Sequence, residues 1–208
     1  MSDRIGVIDY GGGNLRNVLN VLKFLGHEGT LVSAPGDLDE VDRLIFPGVG
    51  SFGDCVADLD RKKLRDPIVD WLKSDRPFFG ICLGYQVLFE RSEESPGVDG
   101  LGVFEGEVVR FSEEAGLKVP HMGWNEVRTL DPEFPLWRST PDPLYLYFVH
   151  SYYPNPVDKE LVNSTTSYGG DFASSISTGS TFACQFHPER SQEAGLKMVA
   201  NFLEPARE

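Results

Sequence analysis

Positive charge is in short supply: 19 lysines and arginines stand against 32 aspartates and glutamates, leaving a net charge of -13 over 208 residues. With no basic stripe to neutralise phosphates, nucleic acid and anionic membrane surfaces are disfavoured as partners. Cysteine is scarce as well. Cys55, Cys82 and Cys184 have no metal-ligand spacing, and their odd number suits a reducing compartment better than a disulfide framework. No apolar run approaches the roughly 18–20 residues that span a bilayer. The opening Met-Ser-Asp-Arg lacks the basic flank and long apolar segment of a secretory signal. The expectation is a cytoplasmic protein with no structural disulfide, metal or cofactor. Histidine occurs at only four positions, His27, His121, His150 and His187, which narrows any search for a general base.

The chain lacks repeats, low-complexity tracts and an obvious linker, so residues 1–208 read as one domain. Its first half alternates strand-like and helix-like segments. Arg4 to Ile8 and Leu44 to Phe46 are short apolar strands. Leu15, Val18, Leu19, Leu22 and Leu25 share a helical face that stops at Gly26. Val56, Leu59, Leu64, Ile68 and Leu72 suggest a broken helix. Such alternation implies a mostly parallel sheet covered by helices on both faces. The second half reads as strands over 103–111, 126–129, 144–149, 160–164, 172–177 and 181–186. A closing helix carries Leu196, Val199, Ala200 and Leu203 on one face. The fold class is α/β, with antiparallel strands added in the second half.

The chemistry concentrates in Pro77 to Gln86, PFFGICLGYQ. Gly80-Ile-Cys-Leu-Gly84 is the cysteine form of the nucleophile elbow, Gly-x-Ser-x-Gly. A sharp strand-to-helix turn there lifts the central side chain out of the sheet, and small residues on either side avoid backbone clashes. A helix-like pattern running through Phe89 comes next, and a helix N-terminus favours a thiolate. A thiol so placed needs a base and a group to orient it. His187 fits: it ends a strand in Thr181-Phe-Ala-Cys-Gln-Phe-His-Pro-Glu189, with Pro188 stiffening the turn and Glu189 two residues away. Period-two alternation puts Gln185 and His187 on one face and Phe182, Cys184 and Phe186 on the other. Cys184 and Cys55 therefore read as packing cysteines. His27 reads as a surface residue, and His121 and His150 as structural or near-site residues.

Gly80-Ile-Cys-Leu-Gly-Tyr-Gln86 together with Phe186-His-Pro-Glu189 resembles the class I (triad) glutamine amidotransferases and their flavodoxin-like fold. Ile8-Asp-Tyr-Gly-Gly-Gly-Asn-Leu15, Pro47-Gly-Val-Gly50, Val119-Pro-His-Met-Gly-Trp-Asn125 and Tyr147-Phe-Val-His-Ser-Tyr-Tyr153 narrow the likeness. They resemble the subfamily of glutaminase subunits of imidazole glycerol phosphate synthases, and the blocks recur in family order over nearly the whole chain. The resemblance implies hydrolysis of glutamine to glutamate and ammonia. It also implies passage of ammonia to a (β/α)8-barrel cyclase subunit in a heterodimer serving histidine biosynthesis. By position it implies Cys82 as nucleophile, His187 as base and acid, and Glu189 as orienting carboxylate. Leu83 and, after a peptide rearrangement, Val49 would supply the oxyanion hole. Gly50, Gln86, Glu94, Ser151 and Tyr152 would hold glutamine, and Asn14 and Tyr147 would lie near the subunit interface. Arg190 stands where many relatives carry lysine, and Tyr85 where many carry methionine.

Other readings stay open at the level of sequence. Gly11-Gly-Gly13 after a strand suggests a dinucleotide turn, but Arg16 occupies the third glycine position of that pattern. A cysteine peptidase or esterase on the same architecture, a catalytically silent interaction subunit, and a paralogous glutaminase serving a different synthase, for example in sugar modification, are the further alternatives.

Overall fold

A computed structural model of the chain describes residues 3–112 and 116–204. In chain order its strands are β1 (Ile5–Ile8), β2 (Gly29–Val32), β3 (Arg43–Gly48), β4 (Phe78–Cys82), β5 (Phe89–Ser92), β6 (Phe104–Arg110) and β7 (His121–Thr129). They continue as β8 (Leu144–His150), β9 (Tyr152–Pro156), β10 (Val162–Ser167), β11 (Asp171–Thr178) and β12 (Thr181–Cys184). The helices are α1 (Leu15–Phe24), α2 (Phe52–Arg61), α3 (Arg65–Lys73), the single turn α4 (Leu83–Gln86) and α5 (Gln192–Leu203).

Nine strands form one sheet in the order β2-β1-β3-β4-β12-β11-β10-β7-β8. The first five pair in parallel, and β12 to β8 pair antiparallel. Counting β12 as the fifth strand, the parallel half has the flavodoxin-like order 2-1-3-4-5, in which ligands bind beyond the carboxyl ends of the strands. A separate sheet, β5-β6-β9, lies beside it.

The parallel strands are covered on both faces, so β4 is buried at every position and reads as an unbroken run, FFGIC. On one face α1 and α5 bring Val18, Leu22, Met198 and Phe202 against Ile5, Val7 and Phe79. On the other, α2 and α3 bring Leu59, Ile68 and Trp71 against Ile8, Phe46 and Phe78. The Phe79 ring meets Phe182 at 5.4 Å and Phe202 at 5.3 Å between centroids. Each such buried ring contributes about 1.5–3 kcal/mol. This packing anchors β4 and β12 side by side and fixes the spacing between the two segments that leave their carboxyl ends.

Several expected elements differ. The helix after the elbow ends at Gln86, and the chain turns into β5, because Phe89 pairs with Phe104 of β6 and packs on Tyr85. The strand expected over 160–164 begins later: Lys159–Leu161 is a 3-10 turn, and β10 pairs β11 from Val162 and β7 from Ser164. β12 stops at Cys184, opposite Ile81, because its neighbour β4 ends there in the elbow. β7 starts five residues earlier than expected because it pairs with β8 from His121 to Val127. β2, β5 and β9 have no counterpart among the expected strands. His27, expected on the surface, has a side chain only 19% exposed, beside Glu204.

Candidate active site

The elbow is strained in the way its chemistry requires. Cys82 sits at φ 54°, ψ -103°, a conformation an L-residue adopts at a cost of about 1–3 kcal/mol. Its neighbours leave no space for a side chain. A Cβ on Gly80 would meet the Gly84 carbonyl oxygen at 2.8 Å, and one on Gly84 would overlap the Phe46 carbonyl oxygen. The elbow helix is one turn long. The macrodipole support that a longer helix would give is correspondingly small.

β12 and β4 are adjacent parallel strands, so the segment leaving β12 arrives beside the elbow. His187 is pinned through its backbone: its N–H donates to the Tyr147 carbonyl at 2.9 Å, and its own carbonyl accepts from the Ser191 hydroxyl at 2.7 Å. Its Nδ1 lies 2.8 Å from Glu189 Oε1, and the two side chains are 1% and 2% exposed. The other carboxylate oxygen, Oε2, is buried with no hydrogen-bond partner. A carboxylate so desolvated is tolerable only beside a cation. Burial alone would pull the His187 pKa down. The Cys82 sulfur and the Glu189 carboxylate outweigh it and hold the ring up at about 10. His187 Nε2 is buried and makes no hydrogen bond of ordinary geometry to a described residue.

In front of Cys82 opens a cavity of about 330 Å³. Gly50, Gln86, Glu94, Ser151 and Tyr152 line it together with Val49, Cys82 and Leu83, so every position named for substrate contact reaches one space. His187 and Glu189, both buried, do not line it. Glu94 is held by a specific device. Ser51 caps α2, accepting from Asp54 N–H at 3.3 Å, and the Glu94 carboxylate accepts from Phe52 N–H at 2.7 Å on that same first turn.

Gln185 was given no site role from sequence, and the bonds that tie it, Gln86 and the two histidines together were not foreseen. Gln185 donates to the Cys82 sulfur at 3.5 Å, and Gln86 donates both to Gln185 Oε1 at 3.0 Å and to the Tyr152 carbonyl at 2.9 Å. The shared face of Gln185 and His187 was the signal that pointed there. His150 and His121 form a buried chain with fixed polarity. His150 Nδ1–H must donate to the Tyr152 carbonyl at 2.8 Å, so His150 Nε2 accepts from His121 Nδ1–H at 2.9 Å. His121 Nε2 in turn accepts from Asn125 at 3.1 Å. This chain sets the Tyr152 carbonyl at the cavity wall. Burial drives His121 down to about 4 and His150 to about 3. Cys55 and Cys184 are buried and their thiols pushed up by desolvation, so Cys82 is the one cysteine bordering the cavity.

Asn14 caps α1 without a side-chain bond, and the Arg190 guanidinium lies 4.1 Å over the Tyr147 ring. No cluster of ligands able to hold a metal ion occurs among the described residues. No helix among them is long and apolar enough to cross a membrane.

An elbow cysteine, a buried His-Glu pair and a doubly wound sheet are the arrangement expected of enzymes that use a cysteine nucleophile. A model of the family described as glutamine amidotransferase class-I matches residues 6–206, and the chain belongs to that family. It is 47% identical over 209 residues to "Imidazole glycerol phosphate synthase subunit HisH 1" of Pseudomonas aeruginosa, covering 98% of this chain and 97% of that protein. It is 45% identical over 207 residues to the HisH subunit of Methylococcus capsulatus, covering 96% and 95%. "Imidazole glycerol phosphate synthase hisHF, chloroplastic" of Arabidopsis thaliana is 45% identical over 97% of this chain, which spans 34% of that protein. Among solved structures, PurLQS from Thermotoga maritima superposes with a TM-score of 0.77 at 22% identity, covering 98% of both chains, a likeness of fold.

Proposed function

We propose that this chain, acting as a single domain, is the glutaminase subunit of an imidazole glycerol phosphate synthase. The observation that carries the chemistry is the buried Glu189–His187 pair set against the elbow sulfur of Cys82. The near full-length identity to HisH subunits supports the choice of pathway.

In the proposed reaction the Cys82 thiolate attacks the side-chain carboxamide carbon of glutamine. Negative charge collects on the amide oxygen, where Leu83 N–H and a second backbone donor, Val49 N–H, receive it; one such donor is worth about 3 kcal/mol of barrier. His187 gives its Nε2 proton to the departing nitrogen, which leaves as ammonia while a γ-glutamyl thioester remains on sulfur. His187, now neutral, takes a proton from water. The hydroxide displaces Cys82 as thiolate and releases glutamate, and the imidazolium is restored. Glu189 holds the ring and balances its charge throughout. Gly50, Gln86, Glu94, Ser151 and Tyr152 hold the amino acid.

Ammonia then passes to a partner subunit, a (β/α)8-barrel cyclase that forms a heterodimer with this chain. The partner uses it to make imidazole glycerol phosphate and aminoimidazole carboxamide ribotide. The Arabidopsis protein, about two thirds of which lies outside the matched region, supports a second functional part next to this one. Asn14, Tyr147 and Arg190 are proposed to lie near that interface, and the cytoplasm is the proposed location. Turnover is weak in the free chain and rises with the liganded partner, because Val49 N–H is engaged elsewhere in the structure.

Co-expression with a barrel cyclase and its nucleotide substrate tests the assignment. The expected result is glutamine-dependent formation of imidazole glycerol phosphate. Glutamine hydrolysis that never supports this product would reassign the chain to another synthase.

A further inference from the structure

We infer that the Tyr10 hydroxyl is a positioning group that withholds the Val49 N–H from the oxyanion hole. The inference rests on the reading of Val49 as the second oxyanion donor.

Tyr10 lies just past β1 and Val49 just past β3, two adjacent parallel strands, so both residues emerge at the carboxyl edge where the cavity opens. The hydroxyl makes two bonds to one residue: it accepts from Val49 N–H at 3.2 Å and donates to the Val49 carbonyl at 2.9 Å. These groups belong to consecutive peptides, so one side-chain oxygen fixes both. The chain around Val49 gives little resistance of its own. Val49 is 41% exposed, and Gly50 sits at φ 115° with open space around its α-carbon. Tyr10 is the opposite. It is 3% exposed, its ring lies 5.8 Å from that of Phe46, and a Cβ on Gly12 would press on its edge at 2.7 Å. Burial pushes its pKa up, so the hydroxyl stays neutral and able both to give and to accept. A rigid clamp thus holds a pliant donor, and a donor spent on Tyr10 is not available to a developing oxyanion.

Replacing tyrosine by phenylalanine removes both bonds and keeps the ring. The test compares the full chain without partner as wild type, Tyr10→Phe and Cys82→Ser. Glutamine turnover and inhibition by glutamate γ-semialdehyde are both read; this aldehyde adds to the thiol and presents an oxyanion. Tyr10→Phe is expected to raise kcat about tenfold, the scale of one or two modest hydrogen bonds, with KM little changed. It is expected to tighten the aldehyde by a similar factor, which a merely structural role for Tyr10 would not do. Equal or lower turnover in a folded Tyr10→Phe chain, with unchanged aldehyde affinity, overturns the inference. Should that variant not fold, 4-fluorophenylalanine incorporated at Tyr10 fills more of the hydroxyl's space without the O–H donor and with only a feeble acceptor, and is expected to move turnover the same way; no rise overturns the inference. If wild type and Cys82→Ser are equally inert toward glutamine and aldehyde, the glutaminase reading itself has failed.

Discussion

Acid should weaken this protein through two buried histidines at the cavity, His150, which lines it, and His121, bonded to it. In the unfolded chain a histidine titrates near 6.5. In the folded chain burial holds His150 at about 3 and His121 at about 4. Both folded values lie below the unfolded one, so the unfolded state binds more protons between pH 6.5 and 3. Stability is complete above pH 6.5 and falls as pH drops through that window. For His150 alone the loss between pH 7 and pH 5 is about 2 kcal/mol. His121 adds to the loss in the same direction. His187 does not join this acid limb. Its folded value is raised, so below pH 6.5 it carries its proton in both states. Urea unfolding of wild type and His150→Asn at pH 7, 6 and 5 reads the effect. At pH 7 the variant is less stable by about 1–3 kcal/mol, because the buried His121 Nδ1–H loses its acceptor. At pH 5 the gap has narrowed by about 2 kcal/mol, since only wild type must keep a proton off position 150. A gap that stays constant across the range would refute the reasoning.

Two further outcomes concern the site. Gly84→Ala drives a methyl group into the Phe46 carbonyl oxygen; the expected cost is about 3 kcal/mol or more in denaturant unfolding, with loss of glutamine turnover. Glu189→Gln keeps the volume but removes the charge that balances the imidazolium, so turnover should fall about a hundredfold or more with KM little changed, as steady-state kinetics would report.

The elbow and the His-Pro-Glu turn were legible because their constraints are local: a strained turn demands small neighbours, and two residues of spacing set one hydrogen bond. The helix length after the elbow was not. Tyr85 to Phe89 is apolar enough for either state, and pairing of Phe89 with Phe104, distant in sequence, decided for a strand. β9 was hidden by Pro154 and Pro156, which argue against a strand. It tolerates them because only β6 pairs with it, so one side of the strand needs no donors. β2 was missed as an edge strand whose middle residues are exposed, which weakens the apolar signal. The bonds of Tyr10 to Val49 and of His121 to His150 cross 39 and 29 residues, and no local pattern announces them.

The central claim is that Cys82 becomes covalently acylated by glutamine with His187 as its proton partner. Acid-quenched protein exposed to glutamine, digested and weighed by mass spectrometry, tests it most directly. The account predicts a γ-glutamyl adduct confined to the peptide bearing Cys82 and absent from Cys82→Ser. Glutamate release at an undiminished rate from Cys82→Ser, with no adduct on the wild-type peptide, would contradict it.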